Sequence, residues 1–175
     1  MKSEYKNVIR SKKLMKDALL LLLEKKQNVA DISVADIVKV ANINRGTFYN
    51  HYSNPTEILE QIKDELMSKL SESLRVSASL NSVDLFVDTI LAHLKENEKE
   101  YKIIISSIPM STIDGMKREY INQIHSITQK LDTFSVVFIV NGLAGLYIDY
   151  LKGNIKFSYD EIGKKSKEAI KKFLK

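Results

Sequence analysis

Residues 44–56 bring hydrogen-bonding and cationic side chains together in one short segment. Only Phe48 and Tyr52 offer much apolar surface there. A helix of about two turns is unstable alone, and this one is too polar to be core, so its exposed face is a candidate surface for recognising another molecule. The polar side chains of that face are Arg45, Thr47, Tyr49, Asn50 and His51. They offer hydrogen bonding and one permanent cation, without a paired nucleophile and base.

Two short helices would position this segment. Ser33 can cap the first, because its hydroxyl can accept from a free backbone N–H of the first turn, and the apolar spacing continues to Ala41. Asn42 tolerates the left-handed conformation that ends a helix sharply. Asn44 can cap the second helix, residues 45–51. A tight turn between two short helices, with the small Ala41 at the crossing, predicts a helix-turn-helix.

Longer helices flank this pair. Apolar positions between Leu14 and Leu23 predict a first helix over about residues 5–26. Pro55 suits the first position of another helix, with Asn54 as its cap. Ser158 has the capping-box spacing to Glu161 before the last helix. From there the pattern predicts helices over about 56–78, 83–95, 98–108, 112–131, 133–152 and 159–174.

The composition supports an all-α fold. The 175 residues include two prolines and six glycines, too few turn residues for a strand-rich protein. Cysteine is absent, which excludes disulfides, thiolate metal sites and a cysteine nucleophile. We expect about nine helices in total.

The net charge of +5 is concentrated at the two ends of the chain. Residues 1–16 hold six basic side chains against one acidic, and residues 164–175 hold the same ratio. A basic N-terminal arm suits DNA or an anionic membrane surface, or is simply a solvated helix face. The C-terminal cluster lies where a helix dipole already favours cations.

Several function classes find no support in the sequence. The three histidines are far apart without a second ligand at metal-binding spacing, and no glycine-rich phosphate loop follows a strand. We therefore expect no enzyme activity, no metal and no cofactor. The N-terminus lacks the apolar run of a signal peptide, and Asn141 interrupts the most apolar stretch, residues 136–148. A cytoplasmic protein without membrane insertion is the expectation.

The segment from Ile32 to Leu59, and above all Gly46-Thr-Phe-Tyr-Asn-His-Tyr52, resembles the DNA-binding domain of the TetR family of transcriptional regulators. The resemblance implies a helix-turn-helix DNA-binding domain over residues 1–55 and a helical ligand-binding and dimerisation domain over residues 56–175. It also implies a bacterial homodimeric repressor, located with the nucleoid. A small-molecule effector would release it from double-stranded DNA carrying an inverted-repeat operator.

Carried over position by position, the resemblance assigns DNA contacts. Ser33 would meet a phosphate at a helix N-terminus, and the fork of Arg45 suits the N7 and O6 acceptors of guanine. Tyr49 would donate its hydroxyl to phosphate, whereas His51 is either a contact or an ordinary surface histidine. The full set is Ser33, Asn44, Arg45, Gly46, Thr47, Tyr49, Asn50, His51, Thr56 and Lys12.

The sequence departs from the family pattern at two positions. Asn42 stands where the family usually has Gly, a change that the left-handed turn accommodates. Pro55 stands where a Lys usually contacts phosphate. That contact is lost or passes to Thr56, and the basic arm before Leu14 is a possible substitute.

The helix predicted over 133–152 is apolar on nearly every side, so a domain of this size covers only about half of it. Its glycines are costly in a helix interior unless another helix approaches closely. The TetR resemblance implies that the approaching helix belongs to a second copy; tight packing within one chain is the alternative. The predicted dimer contacts are Phe138, Asn141, Gly142, Gly145, Ile148 and Asp149.

Polar side chains within apolar segments are candidates to line an effector pocket. They are Tyr101, Tyr120, His125, Asn141 and Tyr147, and each can equally be a satisfied core residue. Residues 142–153 resemble the C-terminal region of a Firmicute-type TetR branch that includes regulators near dihydroxyacetone-kinase operons. That second resemblance keeps an alternative open, a DNA-bound adaptor or activator whose C-terminal domain binds a partner protein.

Overall fold

The computed structural model describes residues 2–79, 83–127 and 132–173, and this part of the chain contains helices and no β-strand. The all-α prediction is therefore confirmed. Nine α-helices and one short 3-10 helix, Val29–Asp31, lie within the described ranges. The α-helices are α1 Lys2–Lys26, α2 Val34–Ala41, α3 Arg45–Tyr49, α4 Pro55–Ser79, α5 Val83–Glu96, α6 Glu98–Ser107, α7 Met110–Ile127, α8 Thr133–Leu151 and α9 Tyr159–Phe173.

Local capping sets most helix starts where the sequence predicts them. Asn54 Oδ1 accepts from the backbone N–H of Glu57 at 3.1 Å, which caps α4 at Pro55. Ser158 and Glu161 form the predicted capping box at α9, with the Glu161 N–H donating to the Ser158 hydroxyl at 3.2 Å. The predicted end of α7 near residue 131 lies outside the described residues, as does Lys175.

Two local features differ from prediction. Helix α3 ends at Tyr49 rather than His51, because the His51 N–H bonds to the Phe48 carbonyl at 2.9 Å and closes a tighter turn. Shortly after α1 the chain forms the 3-10 helix, an element that the sequence pattern does not predict. Asn28 caps it by accepting from the Ala30 N–H at 3.0 Å.

The chain forms two compact units. The N-terminal unit comprises Met1–Glu65 with Ser106–Ile108, and the C-terminal unit comprises Leu66–Ile105 with Pro109–Lys175. The division falls within α4, and a functional boundary after residue 55 stays a prediction.

Each unit has its own buried apolar residues. In the N-terminal unit the most deeply buried side chains are Met15, Leu19, Leu23, Ile37, Phe48 and Ile58. In the C-terminal unit one apolar cluster joins the second half of α4 with α5, α8 and α9, and includes Leu74, Val87, Leu91, Val136, Leu143 and Ile162.

Candidate nucleic-acid interface

A reciprocal capping box fixes the start of α2. The Asp36 backbone N–H donates to the Ser33 hydroxyl at 3.1 Å, and the Ser33 N–H donates to Asp36 Oδ2 at 2.9 Å. Lys26 Nζ also reaches Asp36 Oδ2, at 3.0 Å. The hydrogen bond from the Ser33 backbone, followed by Lys26, lowers the pKa of Asp36 to about 2. A phosphate at Ser33 would have to compete with this neighbouring carboxylate.

The turn between α2 and α3 depends on Asn42. Its φ and ψ are both 51°, in the left-handed region, as predicted for this position. The Ile43 N–H then bonds back to the Val38 carbonyl at 3.1 Å. This geometry ends α2 three residues before α3 begins, and the two helices are in contact.

Helix α3 is held by its cap and by one buried side chain. Asn44 Oδ1 accepts from the Thr47 N–H at 2.6 Å, which leaves the Asn44 amide nitrogen as a donor. Phe48 is fully buried, so the opposite face is turned outward. A Cβ atom at Gly46 would lie 3.3 Å from Asn44 Oδ1, so the absent side chain protects the cap.

The exposed face of α3 presents most of the predicted DNA contacts. Tyr49 is 57% exposed although it is aromatic, because Phe48 takes the position in the core. The other exposed members are Asn44, Arg45, Gly46 and Asn50. Arg45 and Tyr49 are four residues apart and therefore share one side of the helix.

The remaining predicted contacts have different surroundings. Thr47 and His51 are half-buried, whereas Thr56 is exposed in the first turn of α4. Lys12 is half-buried, and its ammonium lies 5.7 Å from the centre of the Tyr52 ring. The structure therefore exposes most of the set, in and beside α3, but holds Lys12 against an aromatic ring of its own unit.

A polar chain behind α3 joins α1 to α4 within the N-terminal unit. The Tyr52 hydroxyl donates to Gln61 Oε1 at 2.6 Å, Gln61 Nε2 donates to Glu65 Oε1 at 2.8 Å, and Lys16 pairs with the same carboxylate oxygen. Sequence reasoning missed this chain, since its members are up to 49 residues apart. Burial, followed by the charge of Glu65, raises the pKa of Tyr52 to about 12 and keeps its hydroxyl a donor.

Residues 6–10 of α1 are exposed on all sides of the helix. Lys13 is exposed as well. Lys6, Arg10 and Lys13 are spaced by four and three residues, so they form one basic face of the helix. The basic arm before Leu14 is thus part of α1, in agreement with the first helix predicted over about residues 5–26.

In the C-terminal unit α8 has one buried and one exposed side. The exposed side carries large apolar groups, among them Phe134 at 68% and Phe138 at 52% exposure. It is completed, at spacings of three and four, by Val137, Asn141, Gly142, Gly145, Leu146 and the half-buried Asp149. We call these eight residues the α8 face. Ile148, predicted as a dimer contact, is buried on the other side of the helix.

The glycines of the α8 face have no partner within the described chain. A Cβ atom at Gly142 or Gly145 would meet no neighbouring atom of the described residues within 4 Å. Among the described residues, no helix packs tightly against these two glycines. By length and hydropathy alone α8 could also span a membrane, but 39% of the relevant window is buried, and a core helix passes the same test.

An apolar cavity of about 100 Å³ lies inside the C-terminal unit. Three of the predicted effector contacts, Tyr101, Tyr120 and Tyr147, line it. The other two lie elsewhere: His125 is exposed and bonds Thr133 Oγ1 at 2.7 Å, and exposed Asn141 donates to the Val137 carbonyl at 2.9 Å. The rest of the lining is almost entirely aliphatic and includes Leu70, Ile90, Ile104, Met116, Leu143 and Ile148.

Comparison with solved structures finds the same architecture over nearly the whole chain. A TetR transcriptional regulator from Streptococcus agalactiae 2603V matches with a TM-score of 0.69 at 18% identity, covering 96% of this chain and 97% of that one. The fatty acid degradation regulator FadR from Bacillus halodurans matches with a TM-score of 0.72 at 16% identity, covering 91% and 94%. The chain has the fold of the TetR-family regulators.

Two further comparisons qualify this result. The HTH-type transcriptional regulator YxbF of Bacillus subtilis (strain 168) is 30% identical over 116 residues, which are 66% of this chain but 28% of YxbF. The chain thus matches little more than a quarter of that relative's length. The TetR family repressor AlkX from Dietzia sp. strain DQ12-45-1b, implicated in biodegradation of n-alkanes, matches with a TM-score of 0.57 at 16% identity, covering 92% and 96%. No family model matches the chain.

Within the TetR fold, α2, the Asn42 turn and α3 form the helix-turn-helix that the sequence predicts. The roles of individual residues in this TetR-like chain stay predictions.

Proposed function

We propose that this chain is a member of the TetR family and acts as a sequence-specific DNA-binding transcriptional regulator in the bacterial cytoplasm, bound to the nucleoid. The observation that carries the proposal is the exposed face of α3. Arg45 and Tyr49 stand there on a helix fixed by the Asn44 cap and by buried Phe48. A short helix held this firmly, with polar side chains turned outward, is suited to enter the major groove.

The α8 face supports a homodimer. Exposed phenylalanines cost free energy in water, and two open glycines cost about 1 kcal/mol each relative to alanine in a helix interior. A second copy laid against this face would bury the aromatic rings and use the space above the glycines. A two-fold dimer also presents two copies of α3 to an inverted-repeat operator.

The apolar cavity supports repression that a small molecule relieves. Its walls favour an effector that is mostly hydrocarbon, since burial of a charge there would be costly. The structural neighbours include a fatty acid degradation regulator and a repressor implicated in biodegradation of n-alkanes, which fits such an effector. The proposed sequence of events is occupation of the cavity, a change in the dimer and release from the operator.

The DNA-binding proposal is tested with an operator selected by the protein from random duplexes. Arg45→Ala should weaken operator binding by about 1–3 kcal/mol and relax base preference at one position, because the guanidinium fork is lost. Tyr49→Phe should weaken operator and random DNA alike, because a phosphate contact carries no sequence information. Arg118→Ala, on α7 of the C-terminal unit, is the matched control and should bind as the wild type does.

Equal weakening of both DNAs by Arg45→Ala would show that Arg45 contacts only the backbone. Failure of the wild-type chain to enrich any sequence would contradict the proposed function itself.

A DNA-bound adaptor is the second candidate, and the α8 face is the observation that favours it. An adaptor would use this exposed apolar surface for a different protein rather than for a second copy. Sedimentation at micromolar concentration separates the two candidates. A dimer supports the repressor, and a stable monomer supports the adaptor.

A further inference from the structure

Three hydrogen-bonding side chains form a line beside the apolar cavity. His93 Nε2 lies 3.1 Å from the Tyr101 hydroxyl, and the Tyr101 hydroxyl lies 3.0 Å from the Tyr120 hydroxyl. His93 is only 5% exposed, and both tyrosines line the cavity. The direction of each hydrogen bond in this line determines whether the Tyr120 hydroxyl, its last member, can donate to a ligand or only accept from one.

The side chain of Asn97 indicates the direction of these hydrogen bonds. Its Nδ2 lies 2.7 Å from the His93 backbone carbonyl, an arrangement that requires the amide nitrogen, and not the oxygen, on this side. The same Nδ2 lies 3.5 Å from His93 Nδ1. This contact is at the long end of the hydrogen-bond range, and because an amide nitrogen only donates, it is a hydrogen bond only where Nδ1 is the bare nitrogen of the ring. The neutral imidazole then carries its proton on Nε2 and donates to Tyr101.

The donation continues along the line. Since Tyr101 accepts from His93, its own O–H points to the Tyr120 oxygen, and the Tyr120 proton is directed onward. Burial raises the pKa of Tyr101, and it raises the pKa of Tyr120 to about 12, so both hydroxyls keep their protons at neutral pH. Among the described residues the Tyr120 hydroxyl has no partner other than Tyr101. A desolvated donor without an acceptor is unfavourable.

The other polar side chains of the described cavity wall already have hydrogen-bond or ion-pair partners. The Tyr147 hydroxyl donates to the Leu94 carbonyl at 2.7 Å. Lys117, the one cation among the described lining residues, pairs with Asp114 at 2.7 Å. Among its described residues the wall therefore offers one unused donor and no unpaired charge.

We propose that the cavity binds a small neutral hydrocarbon bearing one hydrogen-bond acceptor, such as a ketone or ester, and that the Tyr120 hydroxyl donates to this acceptor. The proposal rests on the proposed effector role of the cavity and names the chemical class of the effector. The reversed line, with the proton on His93 Nδ1, would leave Tyr120 an acceptor and favour an alcohol or amine instead.

The test uses two probes of one shape on the full-length protein. Cyclopentanone carries an acceptor, and methylenecyclopentane replaces that oxygen with a CH₂ group. Both are small molecules, chosen because this cavity, at about 100 Å³, is smaller than one of about 150 Å³ that binds benzene. Dissociation constants come from NMR titration of the wild type and two variants. Tyr120→Phe removes the proposed donor, and Tyr147→Phe removes a hydroxyl of the same wall that is already engaged.

Tyr120→Phe should weaken cyclopentanone binding about fivefold or more, as expected for one lost hydrogen bond, and should leave methylenecyclopentane within about twofold. Tyr147→Phe should change both probes by the same factor. Nitrogen-15 shifts of His93 in the wild type give an independent measurement, which should show a protonated Nε2 and a bare Nδ1.

These measurements distinguish failure of the acceptor proposal from failure of the proposed effector role of the cavity. Binding of both probes with no selective effect of Tyr120→Phe overturns the acceptor proposal but leaves a ligand-binding cavity. A proton on His93 Nδ1 overturns it without any variant. Absence of binding by either probe overturns the effector role of the cavity together with this inference, whereas operator binding stands on its own experiment.

Discussion

At the scale of single residues, prediction and structure agree best where a side chain bonds to residues close to it in the sequence. Ser33, Asn42 and Asn44 all have the roles that their types predict, because a cap or a left-handed turn involves only the next few residues. His93 shows the opposite case. Its neutral, buried state depends on Tyr101 and on the packing around α5, and no local pattern in the sequence contains that information.

The two described non-glycine residues with left-handed backbone should respond differently to replacement. Asn42 has φ 51°, and Gln27, after α1, has φ 56°. Asparagine adopts this region at a lower cost than glutamine, so Gln27→Gly should raise the free energy of unfolding by about 1 kcal/mol, and Asn42→Gly should change it by less than about 0.5 kcal/mol. Urea unfolding measures both. A larger gain for Asn42→Gly than for Gln27→Gly would contradict the argument.

Histidine 93 should make stability depend on pH in a defined window. Burial, with a smaller effect of Lys69, lowers the pKa of His93 from 6.5 to about 4. As the pH falls below 6.5 the unfolded chain gains the proton first, so the free energy of unfolding should fall by up to about 3 kcal/mol before it levels off near pH 4. Asp36, held at about 2, contributes only at lower pH.

Replacement by a residue that does not titrate isolates this effect. His93→Gln should flatten the dependence of stability on pH between 4 and 6.5, whatever it costs at neutral pH. His125→Gln, which changes an exposed histidine, is the control. Parallel pH curves for the wild type and His93→Gln would refute the assignment.

At the scale of helices, sequence periodicity gave the order and nearly all the bounds of the elements. The departures have tertiary or turn-specific causes. The 3-10 helix at Val29–Asp31 depends on the Asn28 cap, and Lys26 supports it by donating to the Asp31 carbonyl at 2.8 Å. The chain from Tyr52 through Gln61 to Glu65 and Lys16 joins residues that only folding brings together. Such contacts could not be predicted from spacing.

The basic face of α1 should contribute affinity without specificity. Changing Lys6, Arg10 and Lys13 together to Gln removes three exposed cations from one side of the helix. If each meets a phosphate, the slope of log affinity against log salt should become shallower by about 0.9 per contact for operator and random DNA alike. The same charge change at exposed Lys156, Lys164 and Lys172 in the C-terminal unit is the control. An unaltered slope would assign α1 no part in DNA binding.

At the scale of the whole molecule, a single copy of α3 reads too few base pairs to select one site in a genome, so the proposed function needs two copies. The sequence indicated a dimer helix from its apolar character. The structure shows which side of α8 is exposed. Ile148 does not lie on that side. The cavity, by contrast, is formed by α4 to α8, and the sequence predicted only three of its lining residues.

Two substitutions at Gly145 should separate folding from assembly. Gly145→Ala should stabilise the isolated chain by about 1 kcal/mol, because alanine favours the helix and meets no described neighbour. The same methyl group should weaken a dimer in which helices approach closely there. Gly145→Leu should give a monomer or an aggregate without operator binding, although α1 to α3 are unaltered.

Sedimentation and operator titration of these variants check the prediction. Ala169→Leu, on the exposed side of α9, is the control for an added apolar side chain. A folded Gly145→Leu monomer with wild-type operator affinity would refute the dimer.

The exposed α8 face also bears on how long the protein survives in a cell. In the proposed dimer these side chains would be covered, so a newly made chain would display Phe134 and Phe138 until it paired, and quality-control proteases act on exposed apolar segments of this kind. Pairing follows mass action, so scarce chains stay single longer and are degraded faster. The turnover rate would then fall as synthesis rises, and the cellular level of the protein would show a threshold instead of a proportional response.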